Sequence, residues 1–434
     1  MVNMVKWMAK PAPLLESSRE RYGDMWTLRL MGNTTFVFVS DPALIEDFFT
    51  ADPDVLRAGA AHQRIGTALL GEGSLLLLDE PEHQEMKDLL MPPFKTDHVE
   101  RYKQGIQRVA EEEIENWPLG EPMQMLPRMQ RVALNVIMTT TFGGTEGEEL
   151  ETLRDRVHNL LEWAGSPLHM GHLHLAHRRG KAYPKGFVRV RDALNESIFG
   201  VIDSMRKDPA LGERDDVLSM LLQARWADGS PLNDSQLRDQ LVTLMIQGHS
   251  TTATALAWGL ERMTRHPQVV ERLRDEAQSN SGEEYLDAVV KETLRIRPPL
   301  PIAGAREVSR PFRLGDYEIP ADTLVAACIY LLHRHEKLFP EPDRFRPERF
   351  LEQSPGPYEW IPFGGGHRHC IGASFALSQL KVVLREIVLR TRFESTEQPD
   401  EKIQRRGVGF SPAKGAEVVV KERVPAGGAA SVAA

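Results

Sequence analysis

The stretch between positions 233 and 266 constrains this chain more than any other. Asn233, just after Pro231, is a good helix N-cap, and Gln236 three residues later completes a capping box. The stop is equally plain at His266-Pro267. In between, Leu237, Leu241, Leu244, Met245, Gly248, Thr252 and Ala255 put apolar or small residues on one face. At about 1.5 Å per residue such a helix is roughly 45–50 Å long, the width of a whole domain. It has to cross the core, and the rest of the chain must pack around it.

The surroundings are mainly α with small β-sheets. Met25–Leu30 and Thr34–Val39 are rich in β-branched and aromatic residues and flank Gly32-Asn33, which predicts a hairpin. A second is predicted at Phe312-Arg313-Leu314 and Tyr317-Glu318-Ile319 around Gly315-Asp316. From about 79 to 297 the punctuation is helical. No repeat or low-complexity linker divides the chain, so a single domain over 22–421 is expected. Residues 1–21 read as an N-terminal extension and 422–434 as a disordered tail.

Composition removes several classes. With 41% hydrophobic residues in 434 the chain is no disordered polymer, and a net charge of −9 argues against a general nucleic-acid binder. Two cysteines, Cys328 and Cys370, allow neither a disulfide scaffold nor a multi-cysteine zinc module. The apolar runs at 75–78 and 324–332 fall far short of the roughly 20 residues of a membrane span. The N-terminus lacks a signal-peptide core, so a cytoplasmic protein is expected.

Cys370 stands in Pro362-Phe363-Gly364-Gly365-Gly366-His367-Arg368-His369-Cys370-Ile371-Gly372-Ala373, a glycine-rich loop running into an apolar helix over 374–389. A sulfur near a helix N-terminus, beside Arg368 and two histidines, is expected to favour the thiolate. Such a group is a metal ligand or a nucleophile; the alternative is a buried structural cysteine.

Phe363, Gly366, Arg368, Cys370 and Gly372 match the pattern Phe-x-x-Gly-x-Arg-x-Cys-x-Gly, in which the segment resembles the haem loop of the cytochromes P450. Further marks follow in order from about Tyr22 to Val420. Glu292-Thr293-Leu294-Arg295 resembles the Glu-x-x-Arg signature, and Phe345-Arg346-Pro347-Glu348-Arg349-Phe350 the segment whose Arg349 completes that network. The resemblance implies the P450 fold, with the long helix over haem b (iron protoporphyrin IX) and Cys370 as axial thiolate of the iron. It implies that the backbone at 364–366, including Gly364, turns close beneath the porphyrin beside Phe363. His83, Lys87, Arg306 and Arg368 match the family's propionate ligands, with Lys87 where Arg is more usual.

Gln247-Gly248-His249-Ser250-Thr251-Thr252 resembles the family's oxygen-binding motif Ala-Gly-x-(Asp/Glu)-Thr-Thr. The resemblance implies that Gly248 opens room for dioxygen and that Thr251 delivers protons with a water; otherwise Thr251 only bonds back to a carbonyl. Ser250 replaces the usual acid and Gln247 the usual Ala, so either His249 or a water chain takes over the relay or turnover is slow and poorly coupled. Leu244, Met245 and Gln247, then Pro301, Ile302 and Ala303, then Leu69 and Leu70, then Val408 and Phe410 form a candidate pocket. Their apolar character suits a lipophilic small molecule such as a fatty acid, terpenoid or polyketide, as in bacterial lipid and secondary metabolism.

His158, His169, His172, His174 and His177 invite a metal reading, but they lack regular ligand spacing and read better as a mobile segment over the entrance. No nucleotide-binding fingerprint is present, so electrons are expected from a ferredoxin or flavodoxin with its reductase. Lys87, Lys95, Lys103, His367 and Lys381 are the candidate basic patch for docking it. The expectation is a monomeric monooxygenase that hydroxylates or epoxidises its substrate. The alternatives are a haem-thiolate peroxygenase or isomerase that needs no reductase, and a non-catalytic haem-binding sensor or partner protein.

Overall fold

The computed structural model describes residues 2–30, 34–143, 147–279, 282–396 and 399–424. Its central helix is Asp234–Thr264, 31 residues long. The capping box forms as expected: Asn233 Oδ1 accepts the Gln236 amide at 2.9 Å, and Gln236 Oε1 accepts the Asn233 amide at 3.0 Å. From 255 to 264 every residue is buried, which a helix shows only when neighbours cover all its sides. Met125–Phe142, Glu284–Ile296 and Ala373–Arg390 supply much of that cover.

The largest sheet has five strands in the order Met25–Leu30, Thr34–Val39, Leu324–Ala327, Ala303–Val308 and Leu56–Arg57. Met25–Leu30 and Thr34–Val39 pair antiparallel, Met25 opposite Val39, as predicted; the Gly32-Asn33 turn lies outside the described residues. The second predicted hairpin also forms, with Phe312 opposite Ile319. Pro122–Gln124, Glu417–Arg423 and Thr391–Ser395 make a separate three-stranded sheet.

Both ends differ from the boundaries read in the sequence. The segment taken as an extension forms helices Val2–Ala9 and Pro11–Tyr22, whose Trp7, Leu14 and Leu15 pack with Trp26 and Phe38 of the five-stranded sheet. Burying such side chains stabilises by roughly 1.5–3 kcal/mol each. At the other end the strand continues through Arg423, so Glu422 and Arg423 are not tail; 425–434 lie outside the described residues. Among the described residues no helix is long and apolar enough to cross a membrane.

Candidate active site

The cysteine loop is shaped by its own backbone bonds. Gly364 N donates to Ile361 O at 3.0 Å, His369 N to Gly366 O at 3.1 Å and Cys370 N to Phe363 O at 3.0 Å, ahead of the helix Ala373–Arg390. Gly366 has φ +64°, and a Cβ there would come within 2.3 Å of the Phe49 carbonyl oxygen. The glycines at 365 and 366 therefore let the loop lie against the helix Pro42–Thr50. The Cys370 side chain is accessible. Burial nonetheless pushes its thiol pKa up, only partly opposed by the Gly372 amide. The expected thiolate preference would have to come from a bound metal cation, which would favour the deprotonated sulfur against this burial.

Behind the loop, Glu292 and Arg295 are fully buried. Arg295 donates to both carboxylate oxygens at 2.7 and 2.9 Å, and Arg349 Nε to Glu292 Oε1 at 3.2 Å. Arg346 N adds a bond to Glu292 at 2.8 Å, and Arg349 also reaches the Pro340 carbonyl. A buried carboxylate and two guanidiniums become tolerable when so many of their donors and acceptors are met.

Beside the loop a second cluster is predominantly cationic. Arg306 is 2% exposed, stacks on Phe48 and Phe49 and donates to the Phe48 carbonyl at 2.9 Å, with no ion pair among the described residues. Burial, then Arg368, lowers its pKa to about 10. Arg368 donates to the Leu78 carbonyl at 2.7 Å and has Asp79 and Glu80 at 3.7 and 3.8 Å, while its Nε is buried without a partner. His83, on the helix Glu82–Leu90, holds Glu80 at 2.7 Å; burial, then Arg368 and Lys87, lower its pKa to about 3. Lys87 Nζ donates to the His367 carbonyl at 2.8 Å. His62 joins this cluster unannounced by any motif: it lies against Gly304, and after burial Arg368 is the main cause of its lowered pKa.

On the central helix one side stays open. Leu244, Gln247, Ser250, Thr251 and Thr254 keep partial or full exposure, whereas Met245, His249, Thr252 and Ala253 are buried. Thr254 escaped the sequence reading, although it lies three and four residues past Thr251 and Ser250. Thr251 Oγ1 donates to the Gln247 carbonyl at 2.7 Å. His249 turns toward the helix Met125–Phe142, and burial above all lowers its pKa to about 4; its Nδ1 lies 3.5 Å from Ser250 Oγ. Gly248 also faces that helix, where a Cβ would sit 3.2 Å from Ile137, so it serves a close helix crossing.

The candidate pocket residues do not all gather. Met245, Leu69 and Leu70 lie in the main core. Phe410 is 1% exposed against Tyr330, and Ala303 packs in the core under the sheet. Val408, 69% exposed, stands at the tip of the hairpin Ile403–Arg406 and Gly409–Pro412. Ile302 is partly buried. The histidines disperse: His169 stacks on Trp163, His174 meets the Arg64 carbonyl, His177 meets Tyr183 and His158 meets Glu162. No group of three or more His, Cys, Asp or Glu able to hold a metal ion exists among the described residues. Within the basic patch, Lys103 pairs with Glu100 and Lys381 with Glu283, which leaves less free charge than the sequence promised.

The family model for cytochrome P450 matches residues 2–419. The chain is 37% identical over 415 residues to cytochrome P450 135B1 of Mycobacterium tuberculosis, covering 94% of this chain and 86% of that protein. It is 36% identical over 402 residues to cytochrome P450 137 of the same species, covering 92% and 83%. In fold it is similar to the retinoic acid bound cyanobacterial CYP120A1, with a TM-score of 0.82 at 22% identity, covering 97% of this chain and 96% of that one. The P450DA heme domain gives 0.80 at 24% identity with the same coverage. Fold and comparisons together define a haem-thiolate monooxygenase. The chain belongs to the cytochrome P450 family, whose cofactor is haem b.

The residues present fit that cofactor. Arg306, buried without an ion pair, and the unpartnered Arg368 Nε are donors short of an anion, as two propionates require. Cys370 is an exposed soft sulfur donor.

Proposed function

We propose that Cys370 is the axial ligand of the haem iron, beside Phe363 and Gly364, and that His83, Lys87, Arg306 and Arg368 receive the propionates. Lys87 spends one of its three donors on His367 and keeps two for an anion. When bound, the haem supplies the iron at which dioxygen is activated. One oxygen atom enters a C–H or C=C bond of a lipophilic fatty acid, terpenoid or polyketide-type molecule, and the other leaves as water with two protons and two electrons.

The observation that carries this reading is the open side of the central helix. Gln247, Ser250 and Thr251 remain accessible halfway along a helix whose second half is almost entirely buried, with Leu244 and Thr254 beside them. Such a stretch is where a substrate and the protons for oxygen chemistry meet. The Thr251 hydroxyl, donating to Gln247, has lone pairs left to accept from a water. Electrons come from a ferredoxin or flavodoxin with its reductase, and Lys95, exposed and in no ion pair among the described residues, is a cation available for docking. The chain works as a monomer in the cytoplasm.

The first test is the spectrum of the reduced protein with carbon monoxide. A strongly red-shifted Soret band, lost in Cys370→Ser, supports the reading; its persistence in Cys370→Ser removes Cys370 as ligand. Lipophilic compounds are then screened by the spin-state shift of the ferric band.

A second reading, turnover with peroxide and no reductase, draws on Ser250. Its hydroxyl oxygen lies 3.5 Å from Nδ1 of His249, whose ring is lowered by burial to a pKa of about 4 and so kept neutral, a poorer proton carrier than the usual carboxylate. Ser250→Asp separates the two. Under the monooxygenase reading it raises the product-to-peroxide ratio by about tenfold, and under the peroxide reading it leaves turnover with peroxide unchanged.

A further inference from the structure

His333 lies in the sequence between Arg295 of the buried network and the cysteine loop, and it bonds to Arg295 and to Ile361, which leads into the loop. Its side chain is fully buried. Its carbonyl accepts Arg295 Nη1 at 2.8 Å, and its own amide donates to Ile329 at 2.9 Å, so the main chain is held on both sides. Its ring turns the other way: Nε2 accepts the amide of Ile361 at 2.9 Å. Ile361 in turn gives its carbonyl to the Gly364 amide at 3.0 Å, the bond that begins the turn of the cysteine loop.

We infer that His333 is a positioning residue for the cysteine loop, a neutral imidazole acceptor that anchors Ile361 and with it the approach of Cys370 to its ligand. The inference rests on the reading of Cys370 as the iron ligand, since only then does the placement of this loop bear on activity.

The chemistry favours this residue type. An acceptor is needed for a buried amide at 361, and it must stand beside the cations Arg295 and Arg334. A lysine or arginine has no lone pair to offer. A neutral imidazole offers one at Nε2 when the proton sits on Nδ1. Burial, followed by Arg295 and Arg334, lowers the His333 pKa to about 3, so the lone pair stays free at any physiological pH. Phe339 lies edge-on to the ring at 6.1 Å and limits its rotation.

The test compares haem-loaded wild type with His333→Leu and His333→Gln. Leucine removes the acceptor, whereas the glutamine side-chain oxygen can reach the place of Nε2. His333→Leu is expected to move most of the carbon monoxide complex from the red-shifted thiolate band to the shorter-wavelength form, with His333→Gln restoring it. Hydrogen exchange at the Ile361 amide is expected to rise on the order of tenfold in the leucine variant and to return toward wild type in the glutamine variant. A leucine variant that keeps both the thiolate band and Ile361 exchange within about twofold of wild type overturns the inference.

If His333→Leu does not fold, nitrogen NMR of the wild-type ring decides. An unprotonated Nε2 supports the inference, and a protonated Nε2 overturns it. Failure of the Cys370 reading looks different, because then Cys370→Ser retains the red-shifted band while Ile361 protection is untouched.

Discussion

On the cysteine side of the site, side chains are committed to one another: Glu292 binds Arg295, Arg349 and the Arg346 amide, Arg295 binds the His333 carbonyl, and the His333 ring binds Ile361. On the central-helix side, Thr251 has a single bond back to Gln247, Ser250 a long contact to His249, and Leu244 and Thr254 stand partly open. The first side has one arrangement available and the second is left adaptable. An iron ligand needs a fixed distance and direction, whereas a wall facing substrate must accept a ligand's shape. The difference predicts where substitution unfolds the protein and where it only alters binding or coupling.

The sharpest break is Glu292→Gln. Its loss of charge leaves Arg295 and Arg349 buried without a counterion, at a cost of about 4 kcal/mol. Denaturant unfolding and haem content of the purified protein check it. A stability within about 1 kcal/mol of wild type removes the network as the support of the loop.

Next is Phe410, read from the sequence as a pocket residue. Its ring is buried against Tyr330, and its backbone bonds both Pro299 and Trp258. Phe410→Ala is expected to destabilise by about 3 kcal/mol and to change the affinity for lipophilic ligands far less. An unchanged melting temperature with a large affinity change restores Phe410 to the pocket.

A smaller effect appears with pH, because both sides bury neutral histidines, among them His333 near the cysteine loop, with pKa lowered to about 3, and His249 on the central helix, lowered to about 4. In the unfolded chain both take up a proton near pH 6.5. The unfolded state thus binds more protons below that pH, and stability, full above about 6.5, falls as pH drops toward the folded values. Each histidine adds a slope of about 1.4 kcal/mol per pH unit, His249 down to about pH 4 and His333 further. His249→Gln, measured by unfolding between pH 5 and 7, removes the share of the slope that belongs to His249; an unaltered slope means that His249 is not buried neutral.

These contrasts also mark what the sequence made legible. Glu292, Arg295, Arg349, the Asn233–Gln236 box and both hairpins are local patterns, each recognisable within a few residues of itself, and the structure builds them as read. The open side was less legible because it depends on helix rotation. Neighbouring residues point about 100° apart, so Met245 is buried beside an accessible Leu244, and His249 beside Ser250. Gly248 is read from the motif as room for oxygen, and the structure adds a second demand on its size, since a Cβ there would come within 3.2 Å of Ile137. His333 had no local signal at all, since its partner Ile361 is 28 residues away.

The smallest stability effect is expected at Val408, and it sharpens the contrast most cleanly. Val408 and Phe410 are two residues apart, yet the hairpin leaves one 69% exposed and the other 1%. Val408→Ser removes an apolar surface that folding leaves open, so stability is expected to stay within about 0.5 kcal/mol of wild type. If the hairpin tip covers the entrance, a lipophilic ligand buries that side chain on binding, and its loss is worth about 1 kcal/mol, or about fivefold in Kd by titration of the ferric Soret shift. Weaker binding at unchanged stability identifies Val408 as a contact made only with ligand present. Unchanged binding means that substrate meets the protein deeper in, along Leu244, Gln247 and Thr251, and that the hairpin tip is plain surface.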